Sequence, residues 1–266
     1  TDAPPVWRTW FALFASPLIR NRATLGGNLA TASPIGDSAP LLMALDAVVH
    51  VAGPSGRRRI PAAQLFSGYR KTVLGRDELI VAVELRMDGQ AGLAGRAGLS
   101  RTSPGGQDSS APPRSARSSR SLVVQEPDSE RRLKPAPTMA GGLPQASPGE
   151  PGGPGGPGRA IAFYKMAKRR LNDISTVTAA IAVERAGDGR VTQARFCFGG
   201  VAATPVRVEA AEQAVLGSVW DDAATARVQA VLGETLHPLS DHRGTREFRL
   251  AIVQSLVAKF AWEHLR

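Results

Sequence analysis

The chain has 266 residues, 42% of them hydrophobic, which is enough to build the core of one or two globular domains. Its formal net charge is +10, but the basic clusters at residues 57–59 and 165–170 lack interleaved aromatic side chains that could stack on bases, which argues against nucleic-acid binding. No apolar run is long enough to span a membrane and the first residues lack a secretory signal pattern, so we expect a cytoplasmic location and no membrane contact.

The chain has a single cysteine, Cys197, which can neither form an internal disulfide nor ligate an iron–sulfur cluster, because such a cluster needs about four thiolates. Any such cluster would therefore belong to a partner. Cys197 lies in an alternating stretch between Phe196 and Phe198, which predicts that it is buried and serves packing. The four histidines are scattered without metal-ligand spacing, so we predict no metal site.

The N-terminal region begins with an aromatic-rich segment, residues 1–14, that we interpret as part of a helix. Asp37 or Ser38 can cap a second short helix that has Pro40 in its first turn. Aliphatic and β-branched runs then predict three strands, at residues 48–52, 57–60 and 78–85, with a turn at 53–56 between the first two. These elements group into one region, residues 1–86.

The segment from Phe14 to Asp37 concentrates the polar chemistry of the chain and reads F-A-S-P-L-I-R-N-R-A-T-L-G-G-N-L-A-T-A-S-P-I-G-D. Gly26 and Gly27 lack Cβ atoms, so the backbone there can adopt positive φ and let a ligand approach closely. Short hydrogen-bonding side chains surround the pair, namely Thr24, Asn28, Thr31, Ser33 and Asp37. This pattern suits a polar, phosphate-bearing ligand. The competing interpretation is an ordinary Gly-Gly turn whose side chains satisfy local backbone groups.

Residues 87–159 differ abruptly from the rest of the chain. They hold half of the chain's 28 glycines, more than half of its 20 prolines and no aromatic residue. Such a segment cannot bury enough apolar surface to offset the entropy lost on ordering. We therefore predict a disordered Gly/Pro/Ser/Arg-rich insert.

A compact region follows at residues 160–266. Period-two alternation predicts strands at residues 161–166, 176–184 and 191–198, with a hairpin turn at 186–189. Helices are expected at about 208–216, 225–232 and from 245 to the end of the chain. In the last helix, residues spaced by four predict a core stripe, formed by Phe248, Ile252, Leu256 and Phe260. The pattern predicts an α+β domain in which helices cover a small antiparallel sheet.

Three segments resemble one known family. The run T-L-G-G-N-L-A-T-A-S-P-I-G-D, preceded by F-A-S-P-L-I-R-N, resembles the FAD-binding subunit or domain of the xanthine dehydrogenase family of molybdenum hydroxylases, which includes carbon monoxide dehydrogenase medium subunits. Y-K-M-A-K-R-R-L-N-D-I-S, at residues 164–175, is similar to the family's K-x-x-x-R-R-x-x-D-I segment. H-P-L-S-D-H-R-G, at 237–244, resembles a segment that we interpret as structural, with Asp241 and Arg243 as an ion pair.

The resemblance implies a fold and a cofactor. Residues 1–86 would form the C-terminal part of an FAD-binding domain of the PCMH or vanillyl-alcohol-oxidase type, and residues 160–266 the flavoprotein C-terminal domain. In the family, a further subdomain with its own Gly-rich loop precedes this point. The resemblance therefore implies an FAD site that is incomplete within the given sequence.

The resemblance also assigns the cofactor-binding residues. Apolar side chains would line the flavin, at Phe14, Ala15, Ile19 and Ile80. Direct contacts would come from the motif residues Thr24, Gly26, Gly27, Asn28 and Thr31, and Asp37 matches the acidic position that closes the motif. Lys165 would approach from the C-terminal domain, where its charge would favour the anionic reduced flavin.

Plainer interpretations of these residues stay open. Phe14, Ile19 and Ile80 are also explained as core residues, since apolar side chains need no ligand. Asp37 is also explained as a helix cap, and Lys165 as part of a solvated strand edge.

The resemblance implies an electron-transfer component. Electrons from iron–sulfur clusters in a [2Fe-2S] subunit would pass through FAD to NAD or another acceptor, while a large subunit would hold molybdopterin and the hydroxylation site. No catalytic residue for the hydroxylation is expected in this chain. The alternative from a different class is a truncated or decayed flavin subunit that serves as a scaffold or has no function.

Overall fold

The computed structural model describes residues 5–86, 121–125, 158–169 and 172–265. Two four-stranded antiparallel sheets form its framework, and short helices connect and cover them. No helix within these ranges is both long and apolar enough to cross a membrane.

Four short helices precede the first sheet: α1 (Pro5–Leu13), α2 (Pro17–Arg20), α3 (Leu25–Ala30) and α4 (Ser38–Ala44). The first three helices are separate because α2 and α3 each begin at a capping side chain. Ser16 caps α2 and accepts from the amide of Ile19 at 3.4 Å, and Thr24 caps α3 and accepts from the amide of Gly27 at 2.9 Å. The predicted helices at residues 1–14 and after Asp37 are both present, although the structure describes the first only from Pro5 onward.

The first sheet contains β1 (Val48–Gly53), β2 (Gly56–Pro61), β5 (Leu79–Arg86) and β6 (Ser121–Gln125), in the order β2-β1-β5-β6. A 3-10 turn (Ala62–Gln64) and a two-stranded ribbon of β3 (Phe66–Gly68) and β4 (Lys71–Thr72) lie between β2 and β5. Gly56, with φ of +108°, makes the tight β1–β2 turn. The three strands predicted in this region are confirmed.

Strand β6 corrects the prediction for residues 87–159. Residues 121–125, S-L-V-V-Q, pair antiparallel with β5, so they are not part of a disordered stretch. Two adjacent β-branched residues give this short run a strand preference that the surrounding composition hid. Gly158 and Arg159 are likewise ordered, as the start of β7. The remaining residues of the predicted insert lie outside the described part of the chain.

The second sheet contains β7 (Gly158–Ala167), β8 (Ser175–Arg185), β9 (Val191–Gly199) and β10 (Val206–Arg207), in the order β10-β9-β8-β7. The turn predicted at 186–189 joins β8 to β9, with Gly189 at φ of +79°. Three helices follow, α5 (Glu209–Gln213), α6 (Asp222–Thr235) and α7 (Arg246–His264). The predicted α+β architecture is confirmed, with α5 shorter and α6 longer than expected.

Helices cover both faces of the second sheet. One face packs on α5, α6 and α7, and the other packs on α1 and α4 from the first region. Residues 175–183 of β8 are consequently buried without alternation, as expected for a strand covered on both sides. Cys197 on β9 is fully buried, as predicted, and this burial raises the pKa of its thiol well above the ordinary value.

One residue of the predicted α7 stripe is misplaced. Ile252, Leu256 and Phe260 are buried against the sheet, but Phe248 is 51% exposed. Phe248 lies in the first turn of α7, where its ring packs against Gly244 in the preceding loop instead of entering the core. The stripe of core residues therefore begins one turn later than the spacing predicted.

Candidate functional site

A cleft with a volume of about 1080 Å³ lies where the two regions meet. The segment from Phe14 to Asp37, together with Tyr69 and Arg70, forms one side of it. The second sheet, the loop at 239–243 and Arg249 form the other side. The cleft thus depends on residues from both halves of the described chain.

The floor of the cleft holds a buried ion pair between these halves. Lys165 Nζ on β7 lies 2.8 Å from Asp37 Oδ2, and the side chains of the two residues are only 7% and 9% exposed. Lys165 Nζ also donates to the backbone oxygen of Leu13 at 3.0 Å. A buried ammonium needs such partners, because desolvation disfavours an isolated charge. Lys165 is therefore no solvated strand edge, even though β7 is an edge strand.

Asp37 is held from several directions. Ser175 Oγ at the start of β8 donates to Asp37 Oδ1, and the indole N–H of Trp10 donates to the backbone oxygen of Asp37 at 3.1 Å. Asp37 occupies the N-cap position of α4, but its side chain makes no capping hydrogen bond. The helix-cap interpretation is therefore wrong for the carboxylate, which binds Lys165 and Ser175 instead.

The Phe14–Ala15 turn is fixed by Arg20. Ala15 has a φ of +48°, a left-handed conformation that is uncommon for a residue with a Cβ atom. Arg20 Nη1 donates to both carbonyl oxygens of the turn, Phe14 O and Ala15 O, the latter at 3.0 Å. The turn brings Phe14 and Ala15 to the cleft wall beside Ile19.

The glycine pair does not adopt the conformation that the sequence suggested. Gly26 and Gly27 lie inside α3, and neither has positive φ. Glycine at 27 matters for another reason, because a Cβ atom there would lie 2.8 Å from Thr24 Oγ1, the atom that caps the helix. The segment is therefore a capped helical turn rather than a positive-φ loop.

The structure brings together some of the sequence-predicted residues and separates others. The cleft is lined by six of them, Phe14, Ala15, Ile19, Asn28, Asp37 and Lys165. Thr24, Gly27 and Thr31 lie on the exposed side of α3, and Gly26 is buried within that helix. Ile80 lies on β5, which contacts α3, and packs at the edge of the first core. These five residues therefore lie around α3 and outside the cleft.

Several residues that line the cleft were not predicted as site residues. Ser175 and Arg249 contact its floor, and Asp241 lies on its rim. Arg249 Nη2 donates to Asp241 Oδ1 at 2.6 Å, so the ion-pair partner of Asp241 is Arg249 and the predicted Asp241–Arg243 pair is wrong. Arg243 contacts that carboxylate through its backbone amide. In the sequence, the signal that could have indicated one of these cleft residues was the charged Arg249 beside the apolar stripe of α7.

Two carboxylates at the cleft, those of Asp173 and Asp241, have lowered pKa values. The pKa of Asp173 is lowered by hydrogen bonds from the amides of Ile174 and Arg169. Burial alone would raise the pKa of Asp241, but the Arg243 amide and the Arg249 guanidinium outweigh it, so that pKa is lowered. Among the described residues, no group of three or more His, Cys, Asp or Glu side chains is arranged to hold a metal ion.

Two family models match the chain. Residues 3–85 match the FAD binding domain in molybdopterin dehydrogenase, and residues 162–264 match the CO dehydrogenase flavoprotein C-terminal domain. Together the two models cover most of the chain, and the cleft lies between the two matched stretches.

Known proteins with these domains are similar along nearly the whole chain. Nicotinate hydroxylase hnxS of Emericella nidulans is 29% identical over 256 residues, which are 95% of this chain and 14% of that protein. Carbon monoxide dehydrogenase medium chain of Afipia carboxidovorans is 24% identical over 245 residues, which are 92% of this chain and 61% of that protein. The chain thus spans a seventh of the first relative and about three fifths of the second.

A solved structure shares the fold. The cyanide-inactivated Cu,Mo-CO dehydrogenase matches with a TM-score of 0.66 and 22% identity, over 98% of this chain and 68% of the matched chain. The family models and these likenesses agree with the family resemblance of the sequence segments. The chain therefore belongs to the FAD-binding flavoproteins of the molybdenum hydroxylase family, which includes xanthine dehydrogenase and carbon monoxide dehydrogenase.

Proposed function

We propose that this chain is the FAD-binding electron-transfer component of a molybdenum hydroxylase similar to xanthine dehydrogenase. The observation that carries the proposal is the buried Lys165–Asp37 pair on the floor of the cleft, between the two matched domains. A buried ion pair gives little net stability, because desolvation offsets the attraction. Its position in a cleft therefore favours a functional role.

The residues present fit a large, flat and partly anionic cofactor. The cleft volume of about 1080 Å³ is at the upper end of the range for small-molecule sites. Phe14, Ala15 and Ile19 give one wall an apolar surface, Asn28 adds an amide, and Lys165 supplies a cation at the floor. This combination of an apolar bed with a few fixed polar groups is what a flavin ring requires.

FAD bound here would accept two electrons and deliver them to an acceptor. Lys165 would place a positive charge where the reduced ring gains negative charge, which stabilises the reduced form. Asp37 and the Leu13 carbonyl orient the Lys165 ammonium, and Ser175 orients the Asp37 carboxylate. The apolar wall of the cleft keeps water from this charge, which strengthens its effect.

The exposed side of α3 is the proposed contact for the part of FAD outside the cleft. Thr24, Gly27 and Thr31 lie at successive turns on this side, and Ile80 lies on the adjacent strand. Because Gly27 has no side chain, the backbone of α3 is open to close approach there. These residues would therefore meet the cofactor without lining the cleft itself.

The electron route requires iron–sulfur groups that the given sequence does not supply. With one cysteine, buried at position 197, this chain cannot supply the thiolates of an iron–sulfur cluster. We propose that a [2Fe-2S] subunit supplies electrons and that a molybdopterin-binding large subunit oxidises the substrate. The relatives are named for substrates as different as nicotinate and carbon monoxide, which supports substrate selection outside this component.

Three arginines at the mouth of the cleft favour an anionic electron acceptor. Arg70, Arg169 and Arg243 all line it, from three separate segments of the chain. Clustered arginines favour ligands with phosphate groups, to which the guanidinium can donate two parallel hydrogen bonds. NAD is an acceptor of this chemistry, and we propose NAD or another acceptor at this mouth.

Purification of the chain in its native assembly tests the proposal. We expect flavin absorbance and about one FAD per chain, since the family's flavin domains bind one cofactor. Lys165→Met should lower the flavin's midpoint potential, whereas Lys259→Met, on the outer face of α7, should leave it unchanged. A native assembly that contains this chain and no flavin would disprove the proposed function.

A further inference from the structure

Arg249 is a buried arginine that binds three separate segments of the chain behind the cleft. It lies in α7 and is only 3% exposed. Its Nη1 atom donates to Thr176 O at 2.6 Å and to Gly200 O at 2.8 Å, and its Nη2 atom donates to Asp241 Oδ1 at 2.6 Å. A planar guanidinium can serve these three acceptors at once, whereas the single ammonium of lysine cannot match the fork.

Two of these acceptors belong to the structure that supports Asp37. Thr176 follows Ser175, whose hydroxyl donates to Asp37 Oδ1. Gly200 donates its own backbone N–H to Pro34 O at 2.7 Å, in the loop that leads to Asp37. Arg249 thus binds the chain beside two of the places where the second sheet contacts the loop that carries Asp37.

The third acceptor belongs to the rim of the cleft. Asp241 is 41% exposed, yet its partner Arg249 is almost fully buried. Two further cations bind the same loop, since Lys168 Nζ donates to His242 O at 2.6 Å and Arg246 Nε donates to Pro238 O at 3.1 Å. Arg249 connects this rim to the floor of the cleft, through its bonds to Thr176 and Gly200.

The conformation of Gly200 is adapted to this contact. Gly200 has a φ of +80°, and a Cβ atom there would collide with Thr176 O and come within 3.2 Å of Arg249 Nη1. Gly200→Ala would therefore strain the backbone at Thr176 and Gly200, which supply two of the guanidinium's acceptors, without removing the charge of Arg249. Substitution of either Arg249 or Gly200 can thus perturb the contact between the guanidinium and the carbonyl oxygens of Thr176 and Gly200.

We propose that Arg249 is a positioning residue for the cofactor cleft, which holds the Asp37–Lys165 pair and the 237–244 rim in their relative places. The inference rests on the proposed function, because the cleft is taken as the flavin site. Arg249 acts through the Thr176 and Gly200 carbonyls and through Asp241. Its buried charge also adds to the positive field at the floor, which favours the reduced cofactor.

The first test compares Arg249→Gln with the matched control Arg185→Gln in the native assembly. Arg185, at the far end of β8, donates to the backbone oxygens of Leu265 and His264, and like Arg249 it has a buried Nε without a hydrogen-bond partner. We expect Arg249→Gln to raise the FAD dissociation constant at least about tenfold, since bonds to a charged group are lost. The flavin's absorption spectrum should shift and its midpoint potential should fall. Arg185→Gln should lower the melting temperature without these changes.

Hydrogen exchange gives a readout that needs no flavin. In Arg249→Gln, amides of residues 33–37 and 237–244 should exchange faster than in the wild type, and in Arg185→Gln they should not. Gly200→Ala should reproduce the pattern, and Arg249→Lys should give an intermediate effect. If Arg249→Gln does not fold, Gly200→Ala and Arg249→Lys carry the same test.

The outcomes separate this inference from the proposed function. A wild-type assembly without FAD contradicts the proposed function, while exchange at 33–37 and 237–244 still tests the positioning role. The positioning role is wrong if these segments exchange as in the wild type, or if FAD affinity and spectrum change equally in Arg249→Gln and Arg185→Gln.

Discussion

Lys165 Nζ and Asp37 Oδ2 lie 2.8 Å apart, although the two residues are separated by 128 positions in the sequence. The contact joins β7 of the second sheet to the N-terminus of α4 from the first region. Both residues fall in segments whose patterns resemble the family, yet neither pattern alone states that they meet. Several consequences of this contact and of its neighbours can be measured.

Removing one partner of the pair should destabilise the protein more than removing both. Lys165→Met leaves Asp37 buried without its counter-charge, and we expect a loss of about 3–5 kcal/mol in the free energy of unfolding. Asp37→Asn should cost a similar amount, and the double variant less than either single variant. Urea denaturation of all three variants measures this coupling.

As a control, Arg190→Gln disrupts an exposed pair with Asp188 and should change stability by less than about 0.5 kcal/mol. Strictly additive losses would contradict the coupling.

Loss of the α3 cap should affect both stability and the cofactor. Thr24→Ala removes the side chain that accepts from the Gly27 amide, and we expect about 1 kcal/mol of destabilisation. Asp221→Ala removes the corresponding cap of α6, far from the cleft, at a similar cost. If Thr24, Gly27 and Thr31 contact FAD, only Thr24→Ala should also weaken FAD binding, as measured by flavin titration. Equal FAD affinity in the two variants would remove Thr24 from the binding surface.

A buried ion-pair cluster within the second region should matter for stability but not for the flavin. Glu212 is buried and accepts from Arg207 Nε and Nη2, each at 2.8 Å, and lies 3.4 Å from Arg195 Nη1. The hydrogen bond to Glu212 is the main reason why the pKa of Arg207 is raised. Glu212→Gln should therefore cost about 3 kcal/mol, measured by urea denaturation, because two arginines lose a buried carboxylate. Glu209→Gln, on the exposed side of the same helix, is the matched control and should be nearly neutral.

Protonation of His264 should reduce stability below neutral pH. Burial lowers the pKa of His264 from its ordinary value of 6.5, and Glu263 only partly opposes this. The unfolded chain therefore binds a proton more readily than the folded chain, so stability rises with pH between the lowered pKa and 6.5. Urea midpoints at a series of pH values across this window measure the slope. In His264→Gln the slope should decrease, and an identical slope in the two proteins would contradict this origin.

Much of the secondary structure was predictable because it follows from local patterns. Alternation in residues 176–184 and 191–198 and the A-G-D-G turn between them predicted β8, β9 and their hairpin, since side chains in a strand alternate between faces. Six of the residues that the family resemblance assigned to the cofactor line the cleft. Local rules failed in two places. The burial of Phe248 depends on the neighbouring loop, and the strand at residues 121–125 depends on pairing with β5.

The sequence by itself determined the family and most of the longer strands and helices, because these depend on residues close together in the chain. The tertiary structure alone decided that Lys165 is buried, that the Asp37 carboxylate binds it instead of capping α4, and that Arg249 binds Thr176 and Asp241. Each of these outcomes depends on contacts between distant segments. In such contacts, desolvation and the choice of hydrogen-bond partner outweigh local preference.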